Sequence, residues 1–141
     1  MSRRTAISLT IGVLLIVIWQ IHLETTSETE TSGSAAIDRA YESHTSGVMV
    51  SADGVVQRLL PDDNDGSRHQ KFIVQIDGGL TLLMSHNIDL ADRVPVEQGD
   101  VIIFRGQYEW SQKGGVVHWT HHDPDGRRSG GWIEHRGRRY R

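Results

Sequence analysis

The chain changes hydrophobic period twice. Residues 6–23, AISLTIGVLLIVIWQIHL, form an uncharged, apolar run of 18 residues. At about 1.5 Å per residue it spans ~27 Å as a helix, close to the hydrocarbon thickness of a bilayer. Residues 24–36, ETTSETETSGSAA, lose that apolar character and read as a flexible tether too polar to order itself. A short helix is expected over residues 36–44, with Ile37, Ala40 and Tyr41 on one side. From there the pattern alternates in the manner of strands.

Residues 48–60 predict a long strand bent at Asp53-Gly54, followed by a turn over residues 61–68, PDDNDGSR. Residues 70–76 place Phe72, Val74 and Ile76 on one face. Asp77-Gly78-Gly79 then turns the chain into a strand over residues 80–85. Residues 87–94, NIDLADRV, carry Ile88, Leu90, Ala91 and Val94 at helical spacing and stop at Pro95. Strands follow at residues 101–110 and 116–121, separated by a turn over 111–115, and Trp132-Ile133 begins a short last strand. Trp110, Trp119 and Trp132 are the expected core aromatics.

Bent strand, strand, strand, short helix, strand, strand is the element order of an OB-fold. The fold class expected is therefore mostly β: a small OB-fold-like Greek-key barrel with a short helix, preceded by an N-terminal transmembrane helix. Another small β-barrel or a β-sandwich fits the same strands. The domains are residues 1–23 as membrane anchor, 24–36 as linker, and 37–141 as the barrel with its Arg-rich tail.

Charge fixes the orientation of that anchor. Arg3 and Arg4 precede the apolar run, and Glu24, Glu28 and Glu30 follow it, so the positive-inside rule keeps the N-terminus in the cytoplasm. A cleaved signal peptide would have a shorter apolar region and a small-residue site just behind it, which this sequence lacks. The expected location is the bacterial inner membrane, single-pass, with the C-terminal domain in the periplasm. Residues 37–126 hold 14 acidic and 7 basic residues, whereas residues 127–141 hold six arginines against Glu134. An acidic body repels phosphate backbones and argues against nucleic acid as a partner. The basic tail suits anionic headgroups or an acidic partner.

Cysteine is absent, which removes disulfides, thiol nucleophiles and thiolate metal sites. Histidine is the residue type left to carry chemistry. His69, His86, His118, His121, His122 and His135 fall in the second half of the chain or near it, most densely in residues 114–124, GGVVHWTHHDP. Imidazoles beside a carboxylate suit a divalent transition metal, so His118, His121, His122 and Asp123 form the candidate metal set. Strand geometry restricts that set, because His118 and His121 converge only if the strand ends or bulges near Thr120. Ligands of OB-folds lie between the first-second and fourth-fifth loops. His69 and His118 flank those two loops here. The candidate binding residues are accordingly His69, Gln70, His86, Asn87 and Trp119. The alternatives are histidines that satisfy backbone groups, or acid-base groups that titrate near neutrality. Asp62-Asp63-Asn64-Asp65-Gly66 is no EF-hand: alignment on Gly66 puts Pro61 and Phe72 where oxygen ligands are required. No Gly-rich phosphate loop, GxSxG elbow or HExxH motif is present.

The segments LPDD (60–63), RHQKF (68–72), HNIDLA (86–91) and GGVVHWTHHDP (114–124) together resemble an uncharacterised bacterial family, domain of unknown function 3465. The resemblance runs over about residues 55–140. It implies an envelope location and carries no reaction. Residues 128–131 depart from it, since a further histidine is expected before the Gly-Trp and Arg128-Ser129 stand there. The functional expectation is a membrane-anchored, extracytoplasmic binding module with a His-rich site for a metal or small ligand. The alternative is a small metal-dependent or His-based hydrolase, acting on a phosphodiester for instance.

Overall fold

A computed structural model of the chain describes residues 33–141. The expected anchor, and the tether up to residue 32, lie outside the described residues. Among the described residues no helix is long and apolar enough to cross a membrane. The domain is mostly β, with one short helix, α1 (Gly33–Glu42), and seven strands: β1 (Val48–Asp63), β2 (His69–Gln75), β3 (Thr81–Asn87), β4 (Val101–Glu109), β5 (Val116–His118), β6 (Trp132–His135) and β7 (Arg138–Tyr140). Helix α1 thus takes in residues 33–36, which the sequence pattern assigned to the tether. Ile37 and Ala40 are buried in the same core as the strands, and that burial is what orders the segment.

The strands run β1-β2-β3-β5-β4-β6-β7, and β4 also pairs with β1, so the sheet comes round on itself in a ring. All the strand pairs are antiparallel except β3 with β5. The closure depends on the length of β1. Its first half pairs with β4, from Val48 opposite Tyr108 to Val55 opposite Val101. Its second half pairs with β2, beginning at Val55 opposite Gln75. Gly54 lies at the changeover. A Cβ there would stand 2.4 Å from Val74 Cγ1 and 2.8 Å from the Gln75 carbonyl oxygen. Only glycine lets β1 pass that close to β2, as the Asp53-Gly54 break in the pattern suggests.

Alternation buries one face of each strand. Phe72, Val74, Leu82, Met84, Ile102, Phe104, Tyr108, Val117 and Ile133 meet inside the ring. The aromatic core is therefore Phe72, Phe104 and Tyr108. Trp110, Trp119 and Trp132, the aromatics expected there, are only partly buried. Each presses a ring face against another side chain: Trp110 on His44, Trp119 under Arg128, and Trp132 under Arg139.

Two further expectations are corrected. Residues 87–94 form a turn and an irregular strap, and no helix lies between β3 and β4. The Asn87 side chain accepts the Asp89 N–H, an Asx turn, and Arg68 holds Asp89 from both its main chain and its guanidinium. Those bonds fix the strap before a second helical turn can form. Most of the Arg-rich tail, residues 136–140, continues the sheet. Arg136 and Gly137, both at positive φ, turn β6 into β7, and Tyr140 is buried against the core. The expected strand at residues 116–121 ends early, at His118.

Gly54→Ala is expected to destabilise the domain by about 1–3 kcal/mol, the usual cost of overpacking. Urea unfolding followed by circular dichroism would measure it. A change below about 0.5 kcal/mol would show that β1 bends without needing the missing Cβ.

Candidate functional site

Trp119 follows β5 directly and has a left-handed backbone, with φ 55°. An extended chain would bury alternate residues. This reversal instead buries Thr120 and His121 in succession, at 0% and 3% exposure. It is the interruption that the histidine spacing requires, and it turns His118 and His121 away from strict alternation. Trp119 is held in that conformation by its neighbours. The His121 ring lies 4.7 Å from it on one side, and the Arg128 guanidinium carbon lies 4.3 Å from its ring centroid.

The histidines divide by what their ring nitrogens meet. His86 is fully buried. Its Nε2 lies 3.0 Å from the Asp92 carbonyl and its Nδ1 lies 2.8 Å from Thr120 Oγ1. The carbonyl can only accept, so Nε2 carries the proton and the Thr120 hydroxyl donates to Nδ1. His86 is thus a neutral pin between β3, the strap and the end of β5. Burial holds its pKa below the ordinary 6.5, although the bond to the Asp92 carbonyl pulls the other way. Burial likewise holds His121 below 6.5. His135 donates to Asp100 over 2.7 Å and joins β6 to the turn before β4.

Gln70 and Asn87 are structural as well. Gln70 is buried and bonds both polar groups of the Val94 backbone, at 2.7 and 2.9 Å. Asn87 holds the Asx turn. His69 and His121 each place Nδ1 against a backbone carbonyl, of Ser67 and His122 respectively, at 2.8 and 2.7 Å. A neutral ring so held keeps its lone pair on Nε2.

His118 lies on the outer face. Its Nε2 donates to Glu109 Oε1 over 3.1 Å, and the Gln107 amide donates to the same oxygen over 2.7 Å. The Gln107 amide, and after it His118, hold the Glu109 carboxyl below its ordinary range against the opposing effect of burial.

The metal set does not assemble. His118 is committed to Glu109, His121 lies against Trp119, and His122 is exposed at a cleft. Asp123 spends both carboxylate oxygens on the N–H groups of Asp125, Arg127 and Arg128. Among the described residues no three His, Asp or Glu side chains gather closely enough to hold an ion.

Two concavities on the outer surface escaped the histidine-based reading. The first is a groove of about 240 Å³ between β1, β2, β3 and the 111–115 turn. Leu60, Ile73, Leu83 and Val116 form its floor and Arg58 and Lys113 its edges. Lys71 stands opposite Leu60 in the β1–β2 register, and so on the same face. A bulge between Val56 and Arg58 turns this part of β1 so that Arg58 and Leu60 face outward. The second is a more open cleft of about 430 Å³, lined by Arg105, His122, Arg128, Ser129, Trp132 and Arg141 among others.

The same cations stand out electrostatically. Arg68, Arg93, Arg136, Arg138 and Arg139 are each paired with a carboxylate. Arg58 and Lys113 at the groove, Lys71 on the same sheet face, Arg105, Arg128 and Arg141 at the cleft, and also Arg39 and Arg127 have no such partner among the described residues. Alternation marks Lys71 as outward-facing in the sequence. The bulge that turns Arg58 and the loop that brings Lys113 to it leave no such mark.

Comparison with known proteins bears on the whole domain. The family described as protein of unknown function (DUF3465) matches residues 17–141. The chain belongs to that family. The match takes in every strand described above and the GGVVHWTHHDP segment, and its description names no activity. No curated protein matches the chain.

Acidity should loosen this arrangement in a defined window. His86 and His121 have folded pKa values below 6.5, so under that pH the unfolded chain takes up protons that the folded chain refuses. Their contribution is complete above about pH 6.5, the unfolded value, and is lost as pH falls from there toward the folded values. The melting temperature measured by circular dichroism should be level from pH 8 to 7 and fall from pH 6.5 to 5. A flat profile down to pH 5 would contradict neutral, buried rings. His86→Ala, which also orphans Thr120 and the Asp92 carbonyl, should cost about 3 kcal/mol in urea unfolding.

Proposed function

We propose that this protein is a membrane-anchored, extracytoplasmic binding module. In this reading the strand ring is an OB-like barrel and the groove across β1, β2 and β3 is its ligand site. The observation that carries the reading is the meeting of two cations without carboxylate partners, Arg58 and Lys113, at a groove lined also by Leu60, Ile73, Leu83 and Val116. The domain is otherwise acidic and ties many of its arginines to carboxylates. An unpaired cation costs little in water, but two beside one groove set up a field that favours an anionic occupant. The occupant is a small anionic ligand with an apolar part: the floor takes the apolar part and the rim takes the charge. The groove borders the 111–115 turn, one of the two loops that would bracket a ligand if the ring is OB-like. The uncharged run of residues 6–23, with arginines before it and glutamates after it, supports the anchor and the periplasmic side.

A hydrolytic reading rests on a different observation, the His118–Glu109 pair. Glu109 lies opposite Val116 in the β4–β5 register, on the same sheet face as that groove residue. A carboxylate that holds His118 Nε2–H leaves Nδ1 as the base, the arrangement by which a histidine takes a proton from water. The expected transition metal carries no step in this reading, because among the described residues no three ligands gather closely enough to hold one.

Naphthalene-2-sulfonate, apolar with one negative charge, is a suitable probe for the full-length protein in neutral-lipid nanodiscs. Methyl NMR shifts at Ile73, Leu83 and Val116 should report binding. Arg58→Gln and Lys113→Gln should each weaken it about threefold to fivefold, and added salt should weaken it further. Arg138→Gln, away from the groove, should leave it unchanged. No shift at those methyls would remove the groove from consideration. For the second reading, hydrolysis of a generic phosphodiester should fall about a hundredfold or more in His118→Gln. Elemental analysis of the same protein would show whether an ion is lost with it. Turnover that survives the substitution would exclude His118 as the base.

A further inference from the structure

The second concavity is chemically unlike the first. Its lining is less apolar than that of the groove, and three arginines border it from separate places in the chain: Arg105 on β4, Arg128 on the 123–131 loop, and Arg141 beyond β7. Two of them are fixed in position. Arg105 Nη2 donates to Ser129 Oγ over 3.1 Å, and its Nη1 lies 3.5 Å from Ser51 Oγ. Arg128 donates to the Gln107 side-chain carbonyl while its guanidinium lies over Trp119. Every one of those partners is neutral. Asp123 is the single acidic side chain in the lining; its oxygens accept from three backbone N–H groups, and the Arg128 charge acts on it as well.

The contrast with the neighbouring arginines is direct. Arg138 and Arg139, a few residues from Arg141, are both neutralised by acidic side chains. Guanidinium groups that are held by neutral atoms keep full charge and have lost part of their conformational freedom beforehand. That is the condition under which arginine recognises an oxyanion rather than decorating a surface.

We infer that the Arg105–Arg128–Arg141 cleft is a binding site for a phosphate group. Several guanidinium donors at one cleft suit a tetrahedral group with several oxygens better than a planar carboxylate with two. His122, exposed on the same wall, adds a ring donor. The site is independent of the β1–β3 groove and of what that groove holds. The phosphate has two chemical sources for a protein of this kind, a small phosphate ester or a phospholipid headgroup.

The test uses full-length protein in neutral-lipid nanodiscs, with inorganic phosphate as the probe and acetate for comparison. Trp119 and Trp132 border the arginines, so tryptophan fluorescence should change on titration, and Arg105 and Arg128 Nε–H resonances should shift in NMR spectra. Phosphate should bind at least tenfold tighter than acetate. Arg105→Gln and Arg128→Gln should each weaken it about tenfold, while Arg138→Gln should leave it unchanged. Circular dichroism would confirm that the variants are folded. Should either cleft variant lose its fold, the Nε–H shifts of the unmodified protein decide. Absence of those shifts, equal affinity for acetate, or wild-type affinity in both cleft variants overturns the site. Vesicles containing phosphatidate that displace inorganic phosphate from these resonances assign the headgroup as the source. Vesicles that leave it bound assign a soluble ester.

Discussion

The fold depends on one strand serving two neighbours. Val55 is the residue at which β1 leaves β4 and joins β2, and Gly54 beside it supplies the space for the change. Without that hand-over the sheet would have two open edges, each a row of unpaired backbone groups. With it, β4 returns to β1, and the inward faces of β2, β3 and β4 enclose a single core. The bulge two residues later is part of the same bend, since it turns Arg58 and Leu60 outward to make one wall of the groove. Closure of the sheet and formation of the binding face therefore rest on the same few residues of β1.

A second strained point organises the other side. Trp119 in a left-handed conformation is unfavourable for a bulky residue, by about 1–3 kcal/mol. Stacking on Arg128 and His121, together with the Thr120–His86 hydrogen bond, offsets it. The result is a histidine-rich segment whose members do separate work. His86 pins elements together, His121 packs, His118 meets a carboxylate, and His122 faces a cleft. His69, His118 and His122 lie near enough to act electrostatically on His121, yet among the described residues no three ligands gather closely enough to hold an ion.

Strand positions were largely legible because alternation is a direct consequence of one buried face. The bend at Gly54 and the parallel of strand order with a ring could be read from the same pattern. The strap at residues 87–94 was not legible as irregular structure. Its apolar spacing suits a helix, and it takes the overriding bonds from Arg68, Gln70 and His86 on other strands. The tryptophans misled for a related reason. Their size suggests a core role, but Tyr108, Phe72 and Phe104 already fill the ring, and the indoles serve as platforms for arginines. Lys71 could be placed on the outer face by alternation alone. Arg58 could not, because its orientation depends on a bulge, nor could Lys113, whose place is set by the turn before β5. Glu109 as the partner of His118 follows from the β4–β5 register and from no motif.

The strap has a kinetic consequence. Its backbone is secured largely by side chains reaching out from the sheet: Gln70 to both polar groups of Val94, His86 to the Asp92 carbonyl, and Arg68 to Asp89. It is therefore not an independent lid. Lifting residues 92–94 would strip a buried glutamine and a buried imidazole of their partners at once, leaving polar groups unsatisfied inside the core. Opening of the strap is tied to breathing of β2 and β3. Its amides should exchange with solvent on the slow clock of those strands rather than on the fast clock of a surface loop.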